Sequence, residues 1–138
     1  MFAFGKTSRA HLDTVHPDLR AVAEKVMSYQ VFDFAIVWGH RGQEAQNQAF
    51  LAGNSTKRWP DSLHNRTPAP ALDFAPWVNG GIPWKDTHAF AVIGGMFIAA
   101  GAELGIAIRY GGDWDMDGET TDQRLQDWGH VELAGRAR

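Results

Sequence analysis

The chain has 138 residues, a net charge of −3 and no cysteine. That length can bury a core without staples. The missing thiols exclude disulfides, thiolate metal sites and cysteine nucleophiles together. With Lys and Arg scattered rather than gathered into a basic stripe, no nucleic-acid partner is expected.

Leu19, Val22, Val26 and Tyr29 recur at helical spacing, which predicts helix across residues 8–30. Ser8 is available to cap its first turn, and Pro17 suits the start of a second segment better than the middle of one long helix. Residues 32–38 are aromatic and β-branched and read as a strand ending at Gly39. Residues 43–51 form a short helix, and the polar, proline-bearing stretch 54–70 is a loop that delivers His64. A second strand follows at 71–75, then a long helix over 84–105 with Asp86 in its first turn and Gly105 ending it. Residues 106–110 and 130–133 supply the last two strands. Helices mixed with short strands outside a βαβ pattern give an α+β fold, a small antiparallel sheet flanked by helices in a single domain over 1–138. No signal peptide is expected at the N-terminus. The most apolar run, residues 89–102, reads as a buried helix rather than a membrane span, so no stable membrane association is expected.

The residues that carry chemistry are His64, Asp73, Asp127 and His130. Two imidazoles and a carboxylate suit a catalytic zinc with one position open for water. A further carboxylate at Asp127, three residues before His130, stands where a general base is wanted. Strand alternation sets Asp73 apart from Leu72 and Phe74, and puts His130 and Glu132 on one face with Val131 and Leu133 on the other. Taken singly, each of these residues is as commonplace as a solvated Asp or a structural His. His11, His16, His40 and His88 have no comparable setting and read as surface residues, with His40 set apart by its neighbour Arg41.

The pattern Ser62-x-His64…Ala71-x-Asp73, followed by Asp127-x-x-His130-x-Glu132, resembles the zinc peptidases of the D-Ala-D-Ala carboxypeptidase and L-alanyl-D-glutamate endopeptidase family. It looks most like that family's small phage endolysins, which cut peptidoglycan stem peptides. The likeness also takes in Phe4-Gly5-Lys6, Val37-Trp38-Gly39-His40-Arg41, Asp73-Phe74-Ala75-Pro76, Glu103-Leu104-Gly105-Ile106 and Gly112-Asp113-Trp114, so it runs through nearly the whole chain. It implies zinc on His64, Asp73 and His130, with Asp127 as general base and then acid. Arg41 matches a clamp for a substrate carboxylate or carbonyl oxygen, and Gln46 and Ser62 match supporting substrate-side positions. Glu132 or backbone carbonyls would orient the imidazoles. The family's usual seven-position spacing between first His and Asp, with a glycine between, is here nine, with Pro68 and Pro70.

Asp113-x-Asp115-x-Asp117-Gly118 begins like an EF-hand calcium loop, but its twelfth position is Arg124 rather than Glu. Asp122 or Glu119 would have to substitute. The resemblance to phage endolysins makes Ca2+ control of the loop leading to Asp127 and His130 an expectation beside Zn2+; a solvated acidic turn is the plainer reading.

The resemblance thus implies a peptidoglycan hydrolase cutting between L-alanine and D-glutamate. It would act as a monomer, be made in a host cytoplasm, and reach the cell wall once the membrane is breached. A D-alanyl-D-alanine carboxypeptidase is the alternative within the same chemistry. A zinc-stapled, non-catalytic wall-binding domain is the alternative outside it, disfavoured by three rather than four evident ligands.

Overall fold

The computed structural model describes residues 1–121 and 126–135. In chain order its elements are α1 (Lys6–Leu12), α2 (Pro17–Ser28), β1 (Phe34–Trp38), α3 (Gln43–Leu51), a 3-10 turn (Leu63–Asn65), β2 (Ala71–Pro76), α4 (Thr87–Leu104), β3 (Ile108–Tyr110) and β4 (His130–Leu133). The four strands form one sheet in the order β1-β2-β4-β3, each neighbour antiparallel. This is the α+β architecture expected.

Pro17 sits at the first position of α2, where its missing N–H costs nothing, and breaks 8–30 into two helices. His16 is the N-cap of α2, its ring accepting the Asp18 N–H at 3.0 Å, so it has a structural job that a surface residue would lack. Ser8 does not cap α1. Gly5 holds that position, while the buried Ser8 hydroxyl accepts the Ile36 amide at 3.0 Å and ties α1 to β1. Asp86 lies one residue outside α4 as its N-cap, bonded to Ala89 N–H at 3.1 Å, and Gly105 (φ 72°) ends the helix.

The core fills the space between the sheet and the helices. Phe34, Phe74, Phe97 and Phe90 pack ring against ring there, with the Phe74 and Phe97 centroids 5.2 Å apart. α4 turns Phe90, Ile93, Phe97 and Ala100 onto the sheet, while Val92, Ile98 and Leu104 remain exposed on its outer side. Gly94 faces the Tyr110 ring so closely that a Cβ there would lie 2.4 Å from it.

Three backbone features carry the site. β2 lies between β1 and β4, so its residues are flanked on both sides. Asp73 is the cross-strand partner of His130 on β4, which puts their side chains on the same face about 4.5–5.5 Å apart at Cβ. A register irregularity between Ile36 and Trp38 sets Trp38 opposite Asp73 on the other side, an effect bulges produce by re-aiming a strand end.

Gly39 then passes so close to α1 that a Cβ would meet His11 O and Thr14 Oγ1, each at 2.3 Å. Gly39→Ala is therefore expected to destabilise the fold by about 1–3 kcal/mol, as overpacking against backbone does. A denaturant midpoint unchanged from wild type would contradict that close approach.

Candidate metal centre and cleft

His64 comes from a loop, and the loop is fastened locally. Ser62 caps the 3-10 turn, its Oγ accepting the His64 amide at 3.2 Å, while Asn65 Oδ1 accepts the Ser62 amide at 3.0 Å. This is the reciprocal capping box, with an Asn in the usual Glu/Gln place. Across the chain, the Arg41 amide donates to His64 O at 2.7 Å. The result is that His64 enters the site buried and fixed in direction.

Three side-chain atoms converge. His64 Nε2 lies 3.2 Å from Asp73 Oδ1, His130 Nδ1 lies 3.1 Å from the same oxygen, and the two ring nitrogens are 3.4 Å apart. Four ligands at about 2.0–2.1 Å from a tetrahedral zinc are separated by roughly 3.3 Å, so the triangle has the size of one face of such a site. The far ring nitrogens are also committed: His64 Nδ1 to Gly39 O at 2.8 Å, His130 Nε2 to Glu132 Oε1 at 2.9 Å. Each bond places the ring proton away from the triangle and leaves the inner nitrogen to a metal, the usual orientation of ligating histidines. The donor set fits a divalent metal.

Electrostatics agree with that fit. Burial works against charge on His130, but the carboxylates of Asp73 and Glu132 on its two nitrogens overcome this and hold its pKa up at about 10. Asp73 is likewise opposed by burial, yet the two imidazoles keep it well below the usual carboxylate range. Without a cation the proton on His130 balances the Asp73 carboxylate, and a metal bound there would displace that proton. Glu132, almost wholly buried, is reached from β3 by Arg109 Nη1 at 3.4 Å. Glu132→Gln is expected to lower divalent-metal affinity by about 10–100-fold while the chain stays folded. A competitive chelator titration would measure it, and unchanged affinity would remove Glu132 from the orienting role.

Asp127 stands at the rim of the same cavity, which has a volume of about 320 Å3 and is also lined by Arg41, Lys57, Ser62, His64, Asp73 and His130. Enclosure in the cleft pushes its carboxyl pKa up, and the charge of Asp73 adds to this, while His130 and His64 pull the other way. Its backbone is pinned by Asp127 N–H to Gly111 O at 2.9 Å and by His130 N–H to Asp127 O at 3.1 Å.

Arg41 is buried with its guanidinium 5.4 Å above the Trp38 ring, and Nε donates to Gln46 Oε1 at 2.8 Å. Burial draws its pKa down, and Asp73 and Asp127 oppose that. Gln46 departs from the substrate-side position expected of it. It is fully buried, and its amide also bonds Asn65 Nδ2, Ser55 Oγ and Lys57 O, so it positions Arg41 from behind. Ser62 lines the cavity, but its hydroxyl serves the turn beneath His64.

Asn65 was not singled out from the sequence, although it joins Ser62, Gln46 and the Arg41 carbonyl. The spacing Ser62-x-x-Asn65 was the signal for it. Trp114 also lines the cleft, its ring centroid 5.4 Å from that of His130; the segment Gly112-Asp113-Trp114 marked it as part of the family likeness without giving it a role. Among the four histidines read as surface residues, His11 packs at 5.7 Å from Trp38 and His40 Nδ1 lies 3.0 Å from Arg66 O.

Asp113, Asp115 and Asp117 come together as a second acidic group. Asp113 is buried and accepts the Asp117 and Gly118 amides at 3.3 and 2.8 Å. Asp122 lies outside the described residues.

An α+β sheet presenting a His–Asp–His triangle, with a carboxylate and a buried guanidinium beside it in an open cleft, has the equipment of a metal-dependent hydrolase. The chain belongs to the phage L-alanyl-D-glutamate peptidase family, which matches residues 1–134. It is 42% identical over 137 residues to the L-alanyl-D-glutamate peptidase of Escherichia phage T5, spanning 96% of this chain and 98% of that one. It is also similar in structure to the Serratia marcescens L-Ala D-Glu endopeptidase ChiX, with a TM-score of 0.76 and 26% identity over 95% of this chain and 90% of ChiX.

Proposed function

We propose that the chain is a peptidoglycan hydrolase that cleaves the stem-peptide bond between L-alanine and D-glutamate, with zinc held by His64, Asp73 and His130. The observation that carries this reading is the triangle of inner ligand atoms, 3.1–3.4 Å on each side, in a member of this peptidase family. The whole chain then works as one catalytic domain. Its substrate lies in the bacterial wall, reached from the host cytoplasm after the membrane is breached.

Zinc bound there supplies a Lewis acid that lowers the pKa of a water molecule and polarises a carbonyl oxygen. Asp127 takes the proton as water adds to the L-alanyl carbonyl carbon, and gives it to the D-glutamyl nitrogen as the amide bond breaks. Arg41 offers N–H donors to a substrate carboxylate or to the oxygen that gains charge. Gln46 and Trp38 keep that guanidinium in place, and Gly39 O and Glu132 keep the imidazoles turned inward.

Digestion of purified peptidoglycan, with mass analysis of the products, tests the reaction. New N-terminal D-glutamate is expected. Released D-alanine would replace the endopeptidase by a carboxypeptidase, and no product would favour a wall-binding module.

The Asp113–Asp115–Asp117 group is our proposed Ca2+ position. Trp114 lies inside this run and its ring touches His130, which offers a path from the loop to the zinc site. Adding calcium to chelator-treated, zinc-reloaded protein is expected to raise both melting temperature and activity. If neither moves, the loop is an acidic turn only.

A further inference from the structure

The cleft has a second arm. A cavity of about 480 Å3 shares Arg41, Asp73 and Asp127 with the first, but its walls include Trp38, Trp84, Phe90 and Trp128. Trp84 is 64% exposed. Its indole stacks on Phe90, with centroids 6.1 Å apart at 28°, and Phe90 belongs to the core. One side of the indole is therefore backed by a fixed ring, while most of its surface meets solvent at the edge of the cleft. Keeping so large an apolar surface in water is unfavourable, and exposed aromatic surface continuous with a cleft marks a place for a ligand.

A bond cut between Arg41 and Asp127 has substrate on both sides of it. The D-glutamyl side carries carboxylate, which suits the arm where Lys57 accompanies Arg41. The L-alanyl side carries no charge. In peptidoglycan it continues through a lactyl group into a sugar ring, whose C–H faces are apolar and whose hydroxyls need hydrogen-bond partners. The aromatic arm offers both, because Asn54 and Thr87 line it together with the indoles.

We propose that this arm is the subsite for the sugar that bears the stem peptide, with Trp84 as its stacking platform. The proposal rests on the peptidoglycan reading above. It gives this domain a contact with the glycan, and it orients the substrate with its sugar toward Trp84 and its D-glutamate toward Lys57.

The test compares zinc-loaded wild type, Trp84→Ala and Trp84→Phe on two soluble substrates. One is an N-acetylmuramyl stem peptide; the other is the same peptide with an N-lactoyl cap in place of the sugar. For Trp84→Ala, KM for the muramyl substrate is expected to rise about five- to tenfold with kcat nearly unchanged, as loss of an aromatic stacking partner does. KM for the lactoyl substrate should stay at the wild-type value, and Trp84→Phe should recover most of the loss. Equal KM increases on both substrates, or no increase on either, would overturn the subsite while leaving the peptidase intact. Failure of wild type to cleave either substrate would remove the peptidase reading and the subsite with it.

Discussion

Asp127→Asn is expected to bind one zinc ion per chain and to lose peptidoglycan hydrolysis by about two to four orders of magnitude. The two halves of this expectation come from separate observations. Zinc retention follows because Asp127 lies outside the His64–Asp73–His130 triangle, and its backbone is held by Gly111 and His130 whatever its side chain. Loss of activity follows because asparagine keeps the size but cannot take a proton. The raised pKa of Asp127 gives the sign: its carboxylate holds a proton more readily than an ordinary aspartate, which suits a group that must accept one and then return it. Metal analysis of the purified variant and product release from the same sample would be read together. Full activity with zinc present would remove Asp127 from the reaction.

Arg41→Lys is expected to cost about 10²–10³ in kcat/KM, the usual loss when a donor to developing negative charge is removed. The substitution keeps the charge but loses the planar fork, and an ammonium does not stack on Trp38 as a guanidinium does. Gln46 Oε1 would also lose its Nε partner, so the replacement would be loosely placed as well as shorter. If the loss falls in KM alone, Arg41 grips the substrate carboxylate; if in kcat, it meets the oxygen that gains charge. A change of less than about fivefold in kcat/KM would show that it does neither.

How far the sequence could be read differs from residue to residue. α3 occupies residues 43–51 as expected, because a glycine precedes it and Gly53-Asn54 follows it. The phase of β2 was readable because alternation is a local property, and Asp73 does stand apart from buried Leu72 and Phe74. Ser8 misled because a serine near a helix start has two uses, and only the packing of α1 against β1 decides that its hydroxyl serves Ile36. Gln46 was assigned to the right neighbourhood but the wrong side of Arg41, since a helical position does not say which wall of a cleft it supports. Trp38, Trp84 and Trp128 share one arm although they are far apart in sequence, and no local pattern could have grouped them.

The pairing of Asp73 with His130 across β2 and β4 bears on how such chains should be compared. A slip of one residue between these strands would leave the two side chains on opposite faces of the sheet, so strand register and the candidate metal site stand or fall together. Between His64 and Asp73 only residues 66–68 are exposed and under no such constraint, whereas Ala69 is held by Thr14 and His16 and Ala71 and Leu72 already pair with β4. Extra length is absorbed at that surface, where two added residues cost little closure entropy, and the ligand atoms still meet at 3.2 Å. Distance along the chain is thus a poor ruler for this site. What must stay constant is the rung of the ladder that Asp73 and His130 share, with His64 brought to it from the 3-10 turn.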